Sequence, residues 1–262
     1  MTPSRFSPRT TTRLATLLGG LFLTGLAAAA EEAATEAPAS PQPFSANVGL
    51  FSEYVFRGIT NSNEGPAIQG GFDYAHASGF YAGVWASNIE FGGGPASNTA
   101  SIEIDAYGGF TDKFANGIGW DMGMVYYGYP DQNEDVGADY NYFEGYAKLN
   151  YSWEAIQLTP SLEVGVYYSP AYFGEDGDGV YTYGTVGLTL PYDFKPYVTL
   201  GYQSVDGDKT SGPAGFDYVH YALGMSKTLG IFTADLSWQD ARDLSGCGET
   251  CEAVVFSISS SF

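Results

Sequence analysis

Positive charge is what this sequence has least of. Ten Lys and Arg stand against 30 Asp and Glu, a formal net of −20 over 262 residues. That balance excludes nucleic acid as a partner, because phosphate backbones are bound by clustered Lys and Arg. Charge of either sign is scarce, at 15%, where a soluble domain usually carries about 25%. Histidine is scarcer still, with only His76 and His220. Serine nucleophiles generally need a histidine base, and no G-x-S-x-G stretch is present. His76 is expected beside a short turn and facing outward, and His220 inward with no serine motif beside it. No catalytic residue is nominated and no cofactor is implied. Long apolar runs are also missing, apart from one near the N-terminus, so no helical bilayer span is expected in the body of the chain.

The N-terminal run reads as an export signal over residues 1–30. Arg5, Arg9 and Arg13 precede an apolar Leu14–Leu26 core, and Ala27–Ala30 supply small residues for cleavage before Glu31. A retained membrane anchor is the alternative, disfavoured by the short run and the small residues after it. Removal leaves seven bases against 30 acids, a net of −23. Residues 31–43, rich in Ala, Pro and Glu, read as a disordered lead-in rather than as fold. An exported chain meets an oxidising compartment, so Cys247 and Cys251 are expected to form a disulfide closing a small loop. Two cysteines without a nearby histidine make a poor metal ligand set, and no metal site is expected.

Aromatic residues and glycine are abundant instead: 21 Tyr, 17 Phe and 35 Gly. Period-2 alternation recurs through residues 44–262 and predicts twelve strands, near 44–59, 66–76, 79–91, 99–111, 117–129, 140–152, 155–169, 178–190, 194–205, 215–228, 230–240 and 251–262. Most match the roughly 9–11 residues of a tilted membrane-crossing strand. Their connections alternate. TNSNE, GGGPASN, PDQNEDVGAD, PAYFGEDGDG, DGDKTSGPA and ARDLSGCGET are long and polar, whereas AS, TDKFAN, EA, PYD and LG are short. Short turns on one side and long loops on the other are the rhythm of an outer-membrane barrel. The predicted fold is therefore all-β, a single antiparallel transmembrane β-barrel of about twelve strands with both termini on the periplasmic side. Closure satisfies every backbone group without water. The implied location is the outer membrane of a Gram-negative bacterium, in contact with the lipid bilayer and its lipopolysaccharide.

Three sets of residues carry the functional expectations. The final strand places Val254, Phe256, Ile258 and Phe262 in phase against Ser257, Ser259 and Ser261. A terminal Phe on an amphipathic strand resembles the assembly signal read by the barrel assembly machinery, assigned here to Phe256, Ile258 and Phe262. Face assignment directs Glu53, Asp73, Glu103, Asp105, Asp121, Glu144, Glu163 and Asp235 into the lumen, with Arg57, Lys148 and Lys195. An acidic lining predicts a pore that favours cations or small solutes. The alternative is a network that fills the barrel without conducting, since twelve strands lie between small filled barrels and wide porins. Arg57 is expected to pair with Glu53 or Asp73 and brace the wall. Tyr126, Tyr127, Tyr129, Tyr140, Tyr142, Tyr167, Tyr168 and Tyr172 read as interfacial girdles, with a carbohydrate-stacking platform as the alternative. Asp131, Glu134, Asp135, Asp139, Glu175, Asp176 and Asp178 read as a repulsive outer rim rather than a divalent-cation site, because the EF-hand spacing is missing.

Residues 52–91 add a resemblance. Tyr54–Gly58 (YVFRG), Pro66–Tyr74 (PAIQGGFDY) and Gly79–Asn88 (GFYAGVWASN) resemble the start of the proteobacterial Gcw-type proteins of unknown function, also labelled TorF-family porins. The likeness runs on to Phe262. It implies an outer-membrane barrel with a pore and carries over no catalytic residues. Three functions are thus expected, in order: a porin-like channel for passive diffusion, a non-conducting structural or surface-interaction barrel, and an outer-membrane enzyme.

Overall fold

The computed structural model describes residues 43–91, 99–133, 139–174, 177–207, 214–242 and 251–262. The expectations for residues 1–42, export signal and lead-in, lie outside them. Twelve strands close into one antiparallel barrel: β1 (Phe44–Phe51), β4 (Ala67–Ala75), β5 (Phe80–Phe91), β6 (Ala100–Lys113), β7 (Gly119–Gly128), β8 (Tyr142–Ser152), β9 (Ser161–Ser169), β10 (Gly179–Gly187), β11 (Phe194–Gly207), β12 (Ala214–Leu229), β13 (Phe232–Arg242) and β14 (Glu252–Ser261). Each pairs with its sequence neighbours, and β14 returns to β1 to close the ring. At the seam Phe262 and Ala46 exchange both backbone hydrogen bonds, at 2.8 and 2.9 Å. No wall strand keeps a free edge, which is what a medium without water demands.

The wall is inside out relative to a soluble protein. In β9, Leu162, Val164, Val166 and Tyr168 are exposed on the outer surface, while Tyr167 and Ser169 are buried. In β14, Val254, Phe256 and Ile258 are exposed, while Val255 and Ser257 are buried. Apolar side chains outside and polar ones inside suit lipid on one face only. Among the described residues no helix is long and apolar enough to cross a membrane.

Two predicted strands are corrected. The first does not run to residue 59. It leaves the wall after Phe51, and residues 52–66 turn inward, carrying a small hairpin of β2 (Val55–Phe56) and β3 (Ile59–Thr60). The alternation of YVFRG looked like wall because a hairpin strand has the same period as a barrel strand. The seventh strand begins at Ser161, not 155. Residues 153–160 form a turn in which Leu158 and Thr159 have positive φ, closed by Trp153 N–H donating to the Pro160 carbonyl. Ile156 and Leu158 alternate correctly yet lie exposed on that turn.

Candidate functional site in the barrel lumen

The hairpin is built by its turn. Phe56 pairs with Ile59, leaving Arg57 and Gly58 as a two-residue loop with φ of 50° and 85°. Two positive φ values are what a type I′ hairpin turn requires. Gly58 meets the need without strain, and its missing side chain lets β13 approach: a Cβ there would lie 3.0 Å from the Asp240 carbonyl oxygen. Arg57 is an uncommon residue at positive φ, so its side chain, not its backbone preference, accounts for its place at the tip. The base is tied locally, with Asn61 N–H donating to the Tyr54 carbonyl at 2.7 Å and Tyr54 N–H to Ser62 Oγ at 2.8 Å.

The tip reaches the wall through side chains. Arg57 Nη2 and Nη1 donate to the two Glu144 carboxylate oxygens at 2.6 and 2.9 Å, and Nη1 also to Gln203 Oε1 at 3.0 Å. Its guanidinium lies over the rings of Tyr181, Phe56 and Tyr167, at 4.3, 4.6 and 4.8 Å. Glu144 is 0% and Arg57 3% exposed, so the pair is closed off from water. The expected partners Glu53 and Asp73 are therefore replaced by Glu144. Arg57 is not a wall residue at all, and the inward fold carries it past the first wall strand. Glu53 lies on the same inward segment, half-buried, rather than on the barrel wall. Tyr54 O–H donates to Glu103 at 3.1 Å, and its ring meets Trp85 edge-on at 5.6 Å.

The remaining inward charges form two layers. Near the long loops sit Glu103, Asp105 and Glu144 with Arg57. Near the short turns sit Asp73, Asp121, Glu163 and Asp235 with Lys148 and Lys195. Lys148 Nζ is 3.8 Å from Asp121 Oδ2. Six of the seven wall acids accept a hydrogen bond from a tyrosine hydroxyl: Asp73 from Tyr107, Glu103 from Tyr54, Asp121 from Tyr81, Glu144 from Tyr127, Glu163 from Tyr183 and Asp235 from Tyr197. Asp105 is the exception, buried with no tyrosine hydroxyl on it.

Glycine makes these pairs geometrically possible. Tyr107 on β6 lies across Gly83 on β5 to reach Asp73 on β4, and the register places Tyr107 opposite Gly83 and Gly83 opposite Asp73. Tyr81 crosses Gly109 toward Asp121, and Tyr197 crosses Gly224 toward Asp235. A Cβ on Gly83, Gly109 or Gly224 would meet those ring atoms closer than 3.0 Å. Thirteen of the 21 tyrosines are buried. The girdle expectation is thus corrected for Tyr127, Tyr129, Tyr142, Tyr167 and Tyr172, which face the lumen, while Tyr168 is exposed outside. Adjacency at strand ends suggested a girdle. The in-phase recurrence of Tyr, Gly and acid, as in Glu103, Asp105, Tyr107 and Gly109, was the usable sign of a tyrosine-lined interior.

The rim acids are less free than expected. Asp131 accepts from Ser101 N–H at 3.0 Å and Ile102 N–H at 3.3 Å, and from the Ser101 hydroxyl. Desolvation raises its carboxyl, but these donors outweigh it and hold the group below the usual aspartate range. Asp139 accepts from Gln132 and Asn141, and Asp178 from Tyr168. Glu134, Asp135, Glu175 and Asp176 lie outside the described residues. So does Cys247; Cys251 is disulfide-bonded. Phe256 and Ile258 are exposed on the outer wall and Phe262 on the seam. His76 makes a local turn contact with Ser78 at 2.8 Å, and His220 is buried with Nδ1 2.8 Å from the Tyr181 hydroxyl.

Several solved structures share this architecture. The NanC porin is 12% identical, with a TM-score of 0.52 over 84% of this chain and 98% of that one. The KdgM porin in complex with disordered oligogalacturonate is 9% identical, with a TM-score of 0.48 over 84% and 97%. LpxR from Salmonella typhimurium is 8% identical, with a TM-score of 0.46 over 83% and 99%. At such identities the likeness concerns the fold alone, here the barrel of outer-membrane porins. No curated protein matches the chain. A family described as bacterial protein of unknown function (Gcw_chp) matches residues 35–251, and the chain belongs to that family.

Proposed function

We propose that this protein is an outer-membrane channel for passive diffusion of small solutes, preferring cations, with the inward hairpin as its constriction. The observation that carries the reading is the lumen itself: seven wall acids against Lys148, Lys195 and the hairpin's Arg57, enclosed by an apolar outer wall. A one-signed lining between low-dielectric walls raises the local concentration of counter-ions. Export by residues 1–30, insertion by the barrel assembly machinery acting on the Phe262-terminated strand, and a surround of lipid and lipopolysaccharide belong to the same proposal. Deleting Phe262 should lower folded yield and leave export intact. Unchanged yield would remove that role, and recovery of the mature chain from the soluble periplasm would remove the location.

One observation favours a second reading, a non-conducting barrel: the Arg57–Glu144 pair is almost wholly buried where the hairpin crosses the lumen. Planar-bilayer recording separates the two. The channel reading expects single-channel steps and a cation-selective reversal potential, strongest at low salt, where the screening length grows from about 3 Å at 1 M to about 30 Å at 0.01 M. Neutralising Glu103, Asp105 and Asp121 together should weaken the preference. Anion preference overturns the selectivity. Folded protein without steps leaves the structural barrel.

A further inference from the structure

The wall residues around Arg57 are more specific than a plug requires. A positive charge could be neutralised by one carboxylate. Here Glu144 on β8 receives two parallel N–H donors at 2.6 and 2.9 Å, and Gln203 on β11 accepts a third hydrogen bond at 3.0 Å. Tyr167 on β9 and Tyr181 on β10 offer their faces at 4.8 and 4.3 Å. Forked donors matched to a carboxylate recognise the shape of a guanidinium, and the rings offer a surface for its flat face; an ammonium can lie over a ring, as Lys148 does over Tyr167 at 5.8 Å, but cannot make the paired bonds. Glu144 is also held by the Tyr127 hydroxyl at 2.9 Å, so part of its orientation comes from the wall. The hairpin supplies only Phe56 and the guanidinium itself.

The attachment of the tip matters as much. Its two strands pair only with each other and add no rung to the barrel ladder. Withdrawing Arg57 would break side-chain contacts and leave the wall's backbone pairing whole. We infer that Glu144, Gln203, Tyr167 and Tyr181 form a guanidinium-binding site in the barrel wall, filled in cis by Arg57, whose exchangeable ligand is a small guanidinium-bearing solute. Such a solute competes with the hairpin for the site. Its passage through the barrel rests on the channel reading; its binding does not.

The test is chemical rescue. Arg57→Ala removes the tethered group, and N-ethylguanidinium at low millimolar concentration replaces it, with ethylammonium and neutral ethylurea as controls. In detergent, isothermal titration of R57A should give one site at least tenfold tighter for N-ethylguanidinium than for either control. Wild type should give no such site, and R57A/E144Q should lose it. If R57A folds poorly alone, its refolding yield, read by heat-modifiable migration, should rise severalfold with N-ethylguanidinium and not with ethylammonium. Equal binding of ethylammonium, or neither binding nor rescue, overturns the site. Binding without single-channel currents would keep the site and remove the channel.

Discussion

The barrel wall and the hairpin inside it are held by different kinds of bond. Every wall strand has a backbone ladder on both sides, and β1, the strand before the hairpin, is paired to both β4 and β14. Deleting a wall side chain leaves that ladder standing. The hairpin has two paired positions of its own and one backbone bond to the wall at its base, from Glu90 N–H to the Asn61 carbonyl at 2.8 Å, and is otherwise seated by the side chains of Arg57, Tyr54, Phe56 and Asn61 against single wall residues. Redundant backbone pairing makes the wall insensitive to individual residues, while a few buried polar contacts make the hairpin depend on each of them.

The sharpest way to break this contrast is Glu144→Ala. It strands a buried guanidinium, an effect of about 3–5 kcal/mol for a buried pair losing one partner. The expected outcome is release of the tip: trypsin should cut after Arg57 in the folded variant and spare wild type, while heat-modifiable migration reports an intact wall. Protection equal to wild type would mean that Glu144 does not seat the hairpin. Gly123→Val probes the wall from inside. A Cβ there would lie 2.6 Å from the Tyr146 hydroxyl and from the Gly108 carbonyl oxygen. Overpacking of that kind costs about 1–3 kcal/mol, measurable as a lower denaturant midpoint, with Tyr146→Ala in the same chain restoring part of the loss.

Smaller effects are expected at the loop ends. Cys251→Ser should leave the barrel assembled and lower stability by about 2 kcal/mol or less, as for a disulfide closing a short loop. Non-reduced wild type should resist maleimide, and labelled thiols would rule out the proposed partnership with Cys247. Asp131 should contribute less than about 1 kcal/mol, because it is exposed and screened. Its carboxyl sits below the usual range in the folded protein. Its contribution is therefore fully present above the ordinary aspartate pKa and is lost as pH falls through the folded value. Asp131→Asn should lower stability near neutral pH by less than about 1 kcal/mol and flatten that acid limb of the stability profile; an unaltered acid limb would assign the effect elsewhere.

Several features were legible without coordinates. Alternation with period 2 marks wall strands, because one face meets lipid and the other the lumen, and the unequal connections order them into an up-and-down ring. Where the period misled, it did so for local reasons. Val55 to Thr60 alternates like wall but turns back on itself at two positive-φ residues, and Ile156 and Leu158 alternate within a turn. Periodicity reports which side a residue faces and carries no information about what lies across the lumen.

That second question belongs to the tertiary structure. The sequence by itself determined a closed barrel with apolar residues outside, since a strand's faces follow from its own pattern and the bilayer allows no open edge. It also placed the wall acids on the inner face, Glu53 excepted, which lies on the inward segment after β1. Only the three-dimensional arrangement decided that Arg57 answers Glu144, 87 positions away, rather than Glu53 beside it. It alone decided that Tyr107 reaches Asp73 across Gly83, because those contacts depend on strand register and on chain crossing the barrel interior, and both are set by closure of the whole ring.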